Sequence, residues 1–217
     1  MKKILLAAAI VGSAFMANAQ DFAPSKGSFS TEIQFSPFSG DVFSNGGVLE
    51  GRYFFSDKDA CIIEFGLSGS NDKTVSDTNM GDAFTKTYNG EFVLNLGYQR
   101  HFYTYKRIDL YAGGKIGYVH QFAGNKEQTA ANNWDWNNKG TGNGFNLYAT
   151  TGIDFYVYKG LYVGAEINAG FTDVVTTNYK TKWNHNGETG ELKSSIGGHH
   201  FNGGFSVDPR FRLGWTF

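Results

Sequence analysis

The chain has 217 residues, and its 19 basic and 20 acidic side chains give a formal net charge of −1 at pH 7. That balance creates no bulk positive field for nucleic acid, and a single cysteine excludes an intrachain disulfide. Aromatic residues form 17% of the chain and 29 glycines stand beside only 3 prolines, which favours many β-strands within about one domain.

The N-terminal residues have the pattern of a targeting segment. Lys2 and Lys3 precede a short apolar run over residues 4–16, and Ala17-Asn18-Ala19 has the small-x-small pattern of a cleavage site. The run is shorter than the roughly 20 apolar residues that a membrane-spanning helix needs. We therefore predict a cleaved signal peptide over residues 1–19 and a mature domain over residues 20–217.

Eight segments of the mature chain alternate apolar and polar residues with a period of two, as half-buried strands do. In chain order, the predicted strands cover residues 28–36, 48–55, 60–68, 91–102, 108–121, 144–157, 161–171 and 205–217. The alternation is clear in the last strand, where Phe211, Leu213 and Trp215 share one face. Arg210 and Arg212 lie on the opposite face of that strand.

The connections between these strands alternate in length. Residues 56–59, 103–107 and 158–160 are short turns, whereas residues 37–47, 69–90, 122–143 and 172–202 are long. This alternation is typical of outer-membrane barrels. We predict an all-β protein, an eight-stranded antiparallel up-and-down transmembrane β-barrel with short periplasmic turns and long extracellular loops. A ten-stranded count stays open if residues 74–87 or the last loop contain a hairpin, and such segments could instead extend strands above the membrane.

The charged residues decide which face of the strands points into the barrel. Those on the polar face are Glu32, Glu50, Arg52, Glu64, Glu91, Lys115, Asp154, Glu166, Asp208, Arg210 and Arg212. In a soluble barrel, the large apolar residues of eight strands would all fill the lumen, which is only just wide enough for side chains. We therefore place the charges in the lumen and the apolar faces in lipid. The lumen charge cluster is interpreted as a plug, with a narrow conducting pore as the alternative.

The end of the chain carries the most specific motif. Residues 210–217, with alternating apolar residues that finish on Phe, are similar to the C-terminal signal that barrel-assembly machinery reads. The candidate assembly-signal residues are Phe211, Leu213, Trp215 and Phe217. With this motif, the mature chain resembles the OmpA/OmpX class of small bacterial outer-membrane barrels.

That resemblance implies a location in the bacterial outer membrane after export to the periplasm. It also implies contact with outer-membrane lipid and lipopolysaccharide, assembly by the barrel-assembly machinery, and a lumen packed with polar side chains. It does not fix a function, because the class includes adhesins, structural anchors and lipid-modifying enzymes.

One predicted loop contains the most distinctive candidate binding motif. Trp134, Asp135 and Trp136 stand among four asparagines, and in an extended segment the two tryptophans would share a face. They could stack on an extracellular glycan or contact a partner protein, and Trp183 in the last loop could join them. Anchoring at the membrane interface or packing within the loop is the simpler interpretation.

Catalytic and metal motifs are weak. His199 and His200 are adjacent, so in a strand they point to opposite faces and do not chelate one ion. Lipid A deacylases need an outward His, a Ser and a carboxylate, and the segment His199 to Asn202 lacks the serine. We expect no enzyme activity, cofactor or metal. The expected function is surface binding, adhesion or an envelope structural role, with a small passive channel as the alternative and a lipid A-modifying enzyme less favoured.

Overall fold

The computed structural model describes residues 24–35, 47–78, 81–129, 134–194 and 198–217. The predicted signal peptide lies outside these residues. Nine strands are present: β1 Phe29–Phe35, β2 Val48–Phe54, β3 Asp59–Thr78, β4 Gly81–Tyr105, β5 Ile108–Thr129, β6 Trp134–Tyr158, β7 Leu161–His185, β8 Glu188–Ser194 and β9 Gly198–Thr216. Within the described residues we find no helix that is long and apolar enough to cross a membrane.

Eight of the nine strands form a closed antiparallel ring. Strands β1 to β7 pair in chain order, and β9 pairs with both β7 and β1. The remaining strand, β8, pairs with the far end of β7. The predicted eight-stranded up-and-down barrel is therefore confirmed, and β8 is a short addition to it.

One end of the ring has short turns, as predicted. The connections lie at residues 55–58, 106–107 and 159–160. Lys106 and Lys159 have positive φ angles of 52° and 44°, which these tight reversals require. Local backbone geometry therefore determines the tight turns at residues 106–107 and 159–160.

At the other end, the strands continue well beyond the predicted boundaries. Strands β3 and β4 pair without interruption from Asp59 and Arg100 up to Thr78 and Gly81. The segments over residues 69–90, 122–143 and 172–202 are therefore paired strands for most of their described length, which is the alternative of strands that extend above the membrane. These segments have polar residues on both faces, so the period-two hydrophobic pattern disappears although the backbone pairing continues. The predicted loop over residues 37–47 lies almost entirely outside the described residues.

Burial along the ring strands is inverted relative to a soluble barrel. Lys115, in the lumen, is 2% exposed, whereas its neighbour Ile116 is 59% exposed. The same alternation buries Glu64 and exposes Ile63 and Phe65. An outer surface of exposed Leu, Ile, Phe and Tyr suits lipid and not water. The choice between a membrane barrel and a soluble barrel is thereby settled.

Candidate functional site

The lumen contains a row of three glutamates on adjacent strands. Glu32 lies directly opposite Glu50, and Glu50 lies directly opposite Glu64. All three are buried. Like charges opposite one another destabilise a sheet, so this row requires cations from elsewhere in the lumen.

Two arginines provide the first part of that neutralisation. The Arg52 Nη2 atom lies 2.7 Å from Glu32 Oε2, and its Nη1 atom lies 3.0 Å from Asp154 Oδ2. The Arg212 Nε atom donates to Glu32 Oε1 at 2.6 Å, and its Nη1 atom lies 3.2 Å from Asp154 Oδ1. Glu32 and Asp154 are therefore both bridged by the same two guanidinium groups.

Lys115 neutralises the rest of the row. Its ammonium nitrogen lies 2.8 Å from Glu50, 2.7 Å from Glu64 and 2.8 Å from Glu166. The oxygens of these three carboxylates lie within 4.8 Å of one another, a spacing that could also suit a metal ion. Because an ammonium group has three donors, Lys115 uses all of them within this cluster.

Tyrosines complete the network, and the sequence analysis did not identify them as site residues. The Tyr162 hydroxyl lies 2.6 Å from both Glu32 and Arg52, and Tyr111 donates to Glu166 at 2.8 Å. The Arg212 guanidinium lies 4.8 Å from the Tyr111 ring centre. Their position on the polar face of strands β5 and β7 was the available signal.

The short-turn end of the lumen is packed with aromatic and small side chains. Phe54, Ala60 and Tyr156 are buried there. The His101 Nδ1 atom lies 2.7 Å from Asp109, and the His101 ring centre lies 5.0 Å from that of Phe54. This histidine–aspartate pair was also missed, although its residues flank a predicted short turn. This packing lies on the short-turn side of the ion network.

The described side chains leave space in the lumen towards the long-hairpin end. Two cavities of about 130 Å³ and 410 Å³ share Ser68 and Glu91 in their linings. Gln121 donates to Glu91 at 2.6 Å, and Arg210 donates to Gln34 at 3.1 Å. These polar side chains line a vestibule on the long-hairpin side of the ion network.

The structure brings most of the predicted lumen charges together. Buried in one network are Glu32, Glu50, Arg52, Glu64, Lys115, Asp154, Glu166 and Arg212. Glu91 and Arg210 lie at the vestibule, where Arg210 is 3.5 Å from Glu64. The backbone of Asp208 pairs with that of Asn168, and its side chain is outside the described part.

The predicted loop tryptophans are in strands and not in loops. Trp134, Asp135 and Trp136 begin β6, and Trp136 is directly opposite Trp183 on β7. The Trp183 indole also covers Gly190 of β8, where an added Cβ would lie 2.3 Å from the ring. Asp135 lies on the opposite face of β6 from Trp136, and its backbone pairs with that of Asn184. The structure therefore brings Trp136 and Trp183 together at the long-hairpin end.

The predicted assembly-signal residues follow the outward face of β9. Phe211 and Leu213 are exposed, and Trp215 and Phe217 are half-buried. These residues lie on the apolar surface, and their role as an assembly signal remains a prediction.

Comparisons with known proteins agree with this architecture. The model of the OmpA-OmpF-like porin family matches residues 45–217. No curated protein matches the sequence.

Among solved structures, a major outer membrane protein from Thermus thermophilus is similar at 10% identity and a TM-score of 0.49, covering 88% of this chain and 99% of that one. OprG from Pseudomonas aeruginosa has 11% identity and a TM-score of 0.47, over 91% and 99% of the two chains. Ail from Yersinia pestis has 14% identity and a TM-score of 0.40, over 88% and 99%. These low scores carry no argument about function, whereas the family model covers most of the sequence. The chain belongs to the OmpA-OmpF-like porin family and is a β-barrel of the bacterial outer membrane.

Proposed function

We propose that this protein is a closed, non-enzymatic scaffold whose working surface is the extracellular extension of its strands. The observation that supports a closed lumen is the buried ion network. Its charged groups come from seven of the eight ring strands, and Asn95 of the remaining strand, β4, donates to Glu64 at 2.7 Å. Every wall of the barrel therefore contributes to one set of hydrogen-bonded ion pairs.

An ion that crossed the barrel would have to displace these pairs. Lys115, Arg52 and Arg212 are buried, and each contacts at least two carboxylates. Removing one partner from a buried ion pair costs about 3–5 kcal/mol, which is a large barrier to permeation. The aromatic packing at the periplasmic end adds a second barrier.

The extracellular end offers a surface with the chemistry of a binding site. A cleft of about 500 Å³ is lined by side chains that include Lys126, Asp135, Asn137, Trp183 and Glu191. The Trp183 indole, with Trp136 directly opposite on β6, stands beside amide and charged groups, and this combination suits stacking and hydrogen bonding to a glycan or to a protein loop. Binding there is the basis of the proposed adhesion or envelope structural role.

A small passive channel is the second candidate, and the vestibule is the observation that favours it. The larger cavity of about 410 Å³ opens towards the extracellular end of the lumen. Conduction would require the ion network below it to rearrange.

Planar-bilayer recording of the folded protein distinguishes the closed scaffold from the small passive channel. Folding is first verified by heat-modifiable gel mobility, and conductance is then measured at neutral pH. Silence from a folded barrel is expected. Steady conductance that changes when Lys115 is replaced by Gln would overturn the closed-lumen proposal.

A glycan array tests the surface. We expect binding by the wild-type protein to be lost in a Trp136→Ala/Trp183→Ala variant and kept in Tyr158→Ala, a change of an exposed aromatic residue at the periplasmic end. Equal binding by all three folded proteins would argue against the tryptophan pair as the binding element.

Lipid-facing chemistry supports the non-enzymatic proposal. His120 is on the outward face of β5, and its Nδ1 atom lies 2.8 Å from Asn143 Oδ1. An amide does not take up a proton, so Asn143 cannot act as the carboxylate of a catalytic triad. Mass spectrometry of lipid A from cells that express the protein should show no new species relative to cells that express His120→Ala.

A further inference from the structure

On the long-hairpin side of the ion network, the lumen contains a small cavity whose wall is built in three layers. This layered cavity has a volume of about 130 Å³, which is room for roughly four waters or for one short-chain molecule. Alternate residues of β4 mark its layers, with Asn95 at the base, Val93 in the middle and Glu91 at the top. The base and the top are about 14 Å apart along the strand.

The base layer presents two amide oxygens that have no hydrogen-bond donor. Asn95 and Asn146 both pair with Gly117, one from each side, and each asparagine is 2% exposed. Asn95 Nδ2 donates to Glu64 at 2.7 Å, so Asn95 Oδ1 is turned towards Gly117, where an added Cβ would overlap it. Among the described residues, no group donates to Asn95 Oδ1 or to Asn146 Oδ1. Buried amide oxygens are nearly always hydrogen-bonded, so the base layer requires a donor from outside the chain.

The middle layer is apolar. Val93 pairs directly with Val119, and both side chains line the layered cavity. Their neighbours in the same row are Gly66 of β3 and Gly144 of β6, which add no side chain to the lumen. The valine methyl groups suit contact with methylene groups and offer no ligand to a metal ion.

The top layer is acidic. Glu91 pairs with Ser68 on one side and with Gln121 on the other. Gln121 Nε2 donates to Glu91 Oε2 at 2.6 Å, and this neutral partner leaves the carboxylate its negative charge. Ser68 and Glu91 also line the larger cavity of about 410 Å³, so the two cavities adjoin at this layer.

The cations beside the layered cavity are engaged with other groups. Arg210 lines the cavity, but its Nη1 atom lies 3.5 Å from Glu64 and donates to Gln34 at 3.1 Å. Lys115 uses its three donors within the glutamate cluster of the ion network. The amide oxygens of the base and the carboxylate of Glu91 are therefore available to an external cation.

We propose that the layered cavity binds a short linear diammonium compound, which is an alkane chain with a protonated amine at each end. One ammonium group donates to the amide oxygens of Asn95 and Asn146. The methylene groups lie against Val93 and Val119, and the second ammonium group contacts Glu91.

The order of the three layers favours this class of ligand. An ammonium group has only donors, which matches the two unpartnered oxygens of the base layer. A hard metal ion such as Ca²⁺ requires six or more oxygen ligands, and the valines of the middle layer supply none. The proposal is independent of the tryptophan surface and of whether the lumen conducts.

Calorimetric titration of the full-length folded protein in a non-ionic detergent tests this proposal. The probes are pentane-1,5-diamine, pentylamine and pentane-1,5-diol, which have the same chain length and carry two, one and no positive charges at neutral pH. Glu91→Gln removes the charge of the top layer, and Asn146→Leu removes one acceptor of the base layer at similar volume. The matched control, Glu191→Gln, removes a carboxylate from β8. Heat-modifiable gel mobility verifies that each variant is folded.

We expect wild type to bind the diamine at least about tenfold more tightly than pentylamine, because a charge-assisted contact with Glu91 is added, and not to bind the diol. Glu91→Gln should weaken binding of the diamine to about the affinity of pentylamine, and should leave pentylamine binding within about twofold of wild type. Asn146→Leu should weaken binding of both amines, whereas Glu191→Gln should change neither.

Three results would overturn the proposal. The first is a folded wild-type protein that does not bind the diamine, or binds it no more tightly than the diol. The second is unchanged diamine binding by folded Glu91→Gln, which tests the top layer even if Asn146→Leu does not fold. The third is displacement of the diamine by an equal concentration of Ca²⁺, which would show that the cavity is a metal site.

Discussion

Arg212 and Glu32 form a two-point ion pair across the seam where β9 closes the barrel on β1. The Arg212 Nε atom donates to Glu32 Oε1 at 2.6 Å, and its Nη2 atom donates to Glu32 Oε2. Both side chains are buried. The seam joins the first and last strands of the ring, which are farthest apart in sequence, so this pair links the two ends of the barrel domain.

Replacing Arg212 should weaken closure of the ring. Arg212→Ala leaves Glu32 with Arg52 as its remaining cation, and we expect the free energy of unfolding to fall by about 3 kcal/mol. Urea unfolding in lipid vesicles, followed by heat-modifiable gel mobility, measures the change. Arg100→Ala is the control, because Arg100 pairs with Asp59 at an exposed position, and its loss should leave the free energy of unfolding close to that of wild type. Equal effects of the two substitutions would contradict a special role for the seam.

Gly214 provides the space in which Tyr162 reaches that seam. A Cβ added at Gly214 would lie 2.3 Å from the Tyr162 ring and 2.8 Å from Glu32 Cβ. Gly214→Ala should therefore displace Tyr162 and lower the free energy of unfolding by about 1–3 kcal/mol. Gly66→Ala is the matched change on another lumen position, where the nearest atoms are 3.5 Å and 3.7 Å away. In the same urea assay, the Gly66 variant should match or exceed wild type, and a destabilised Gly66 variant would contradict the steric explanation.

Lys115 holds three carboxylates that would otherwise repel one another. Lys115→Ala should lower the free energy of unfolding by about 3 kcal/mol, because Glu50, Glu64 and Glu166 remain buried without their shared cation. Their oxygens lie within 4.8 Å of one another, which is close enough for joint coordination of Ca²⁺. Millimolar Ca²⁺ during refolding should therefore restore much of the stability of the variant and leave wild type unchanged. No response to Ca²⁺ by a folded variant would show that the carboxylates move apart once the ammonium is lost.

The barrel itself could be predicted from sequence because the lipid requires apolar side chains and the lumen requires polar ones, and the two alternate along each strand. Each membrane-spanning strand therefore carries a period-two pattern, and the glutamates and arginines on its polar face had to meet in a narrow lumen. The pattern does not determine which of these lumen side chains contact one another. That Tyr111 contacts Glu166, and that Tyr162 contacts Glu32, depends on the barrel tilt and on space at Gly152 and Gly214.

The extracellular extension was only an open alternative in the sequence, and its strand bounds were not predicted, because the period-two pattern of apolar residues is absent there. The fourth predicted strand began at residue 91, whereas β4 begins at Gly81, and the outward positions in between include Lys86 and Tyr88. One local signal was available. Asn186-Gly187 has φ angles of 51° and 89°, which is the two-residue turn typical of tight hairpins. That motif would have predicted β8 and its pairing with β7.

The same turn brings Glu191 of β8 beside three lysines, with Lys180 at 2.9 Å, Lys182 at 3.4 Å and Lys193 at 3.1 Å. Its pKa is lowered from the ordinary value of 4.5 to about 2, first by hydrogen bonds from Lys180 and Lys193. A carboxylate whose pKa is lower in the folded state than in the unfolded state stabilises the folded state at pH values above the unfolded-state pKa. We therefore expect Glu191 to support the β7–β8 hairpin at pH 4.5 and above, and this support to be lost as the pH falls towards 2.

Carbon-13 NMR of the side-chain carboxyl carbons of labelled glutamate measures the titration midpoint of Glu191 in micelles. The Glu191 signal is assigned by its absence in Glu191→Gln. Lys180→Gln and Lys193→Gln should each move it upwards towards 4.5, because each removes one hydrogen bond and one positive charge. Lys58→Gln, at the periplasmic end, should leave it unchanged because that charge is too distant. A wild-type midpoint near 4.5 would mean that the three lysines do not converge on Glu191 in solution.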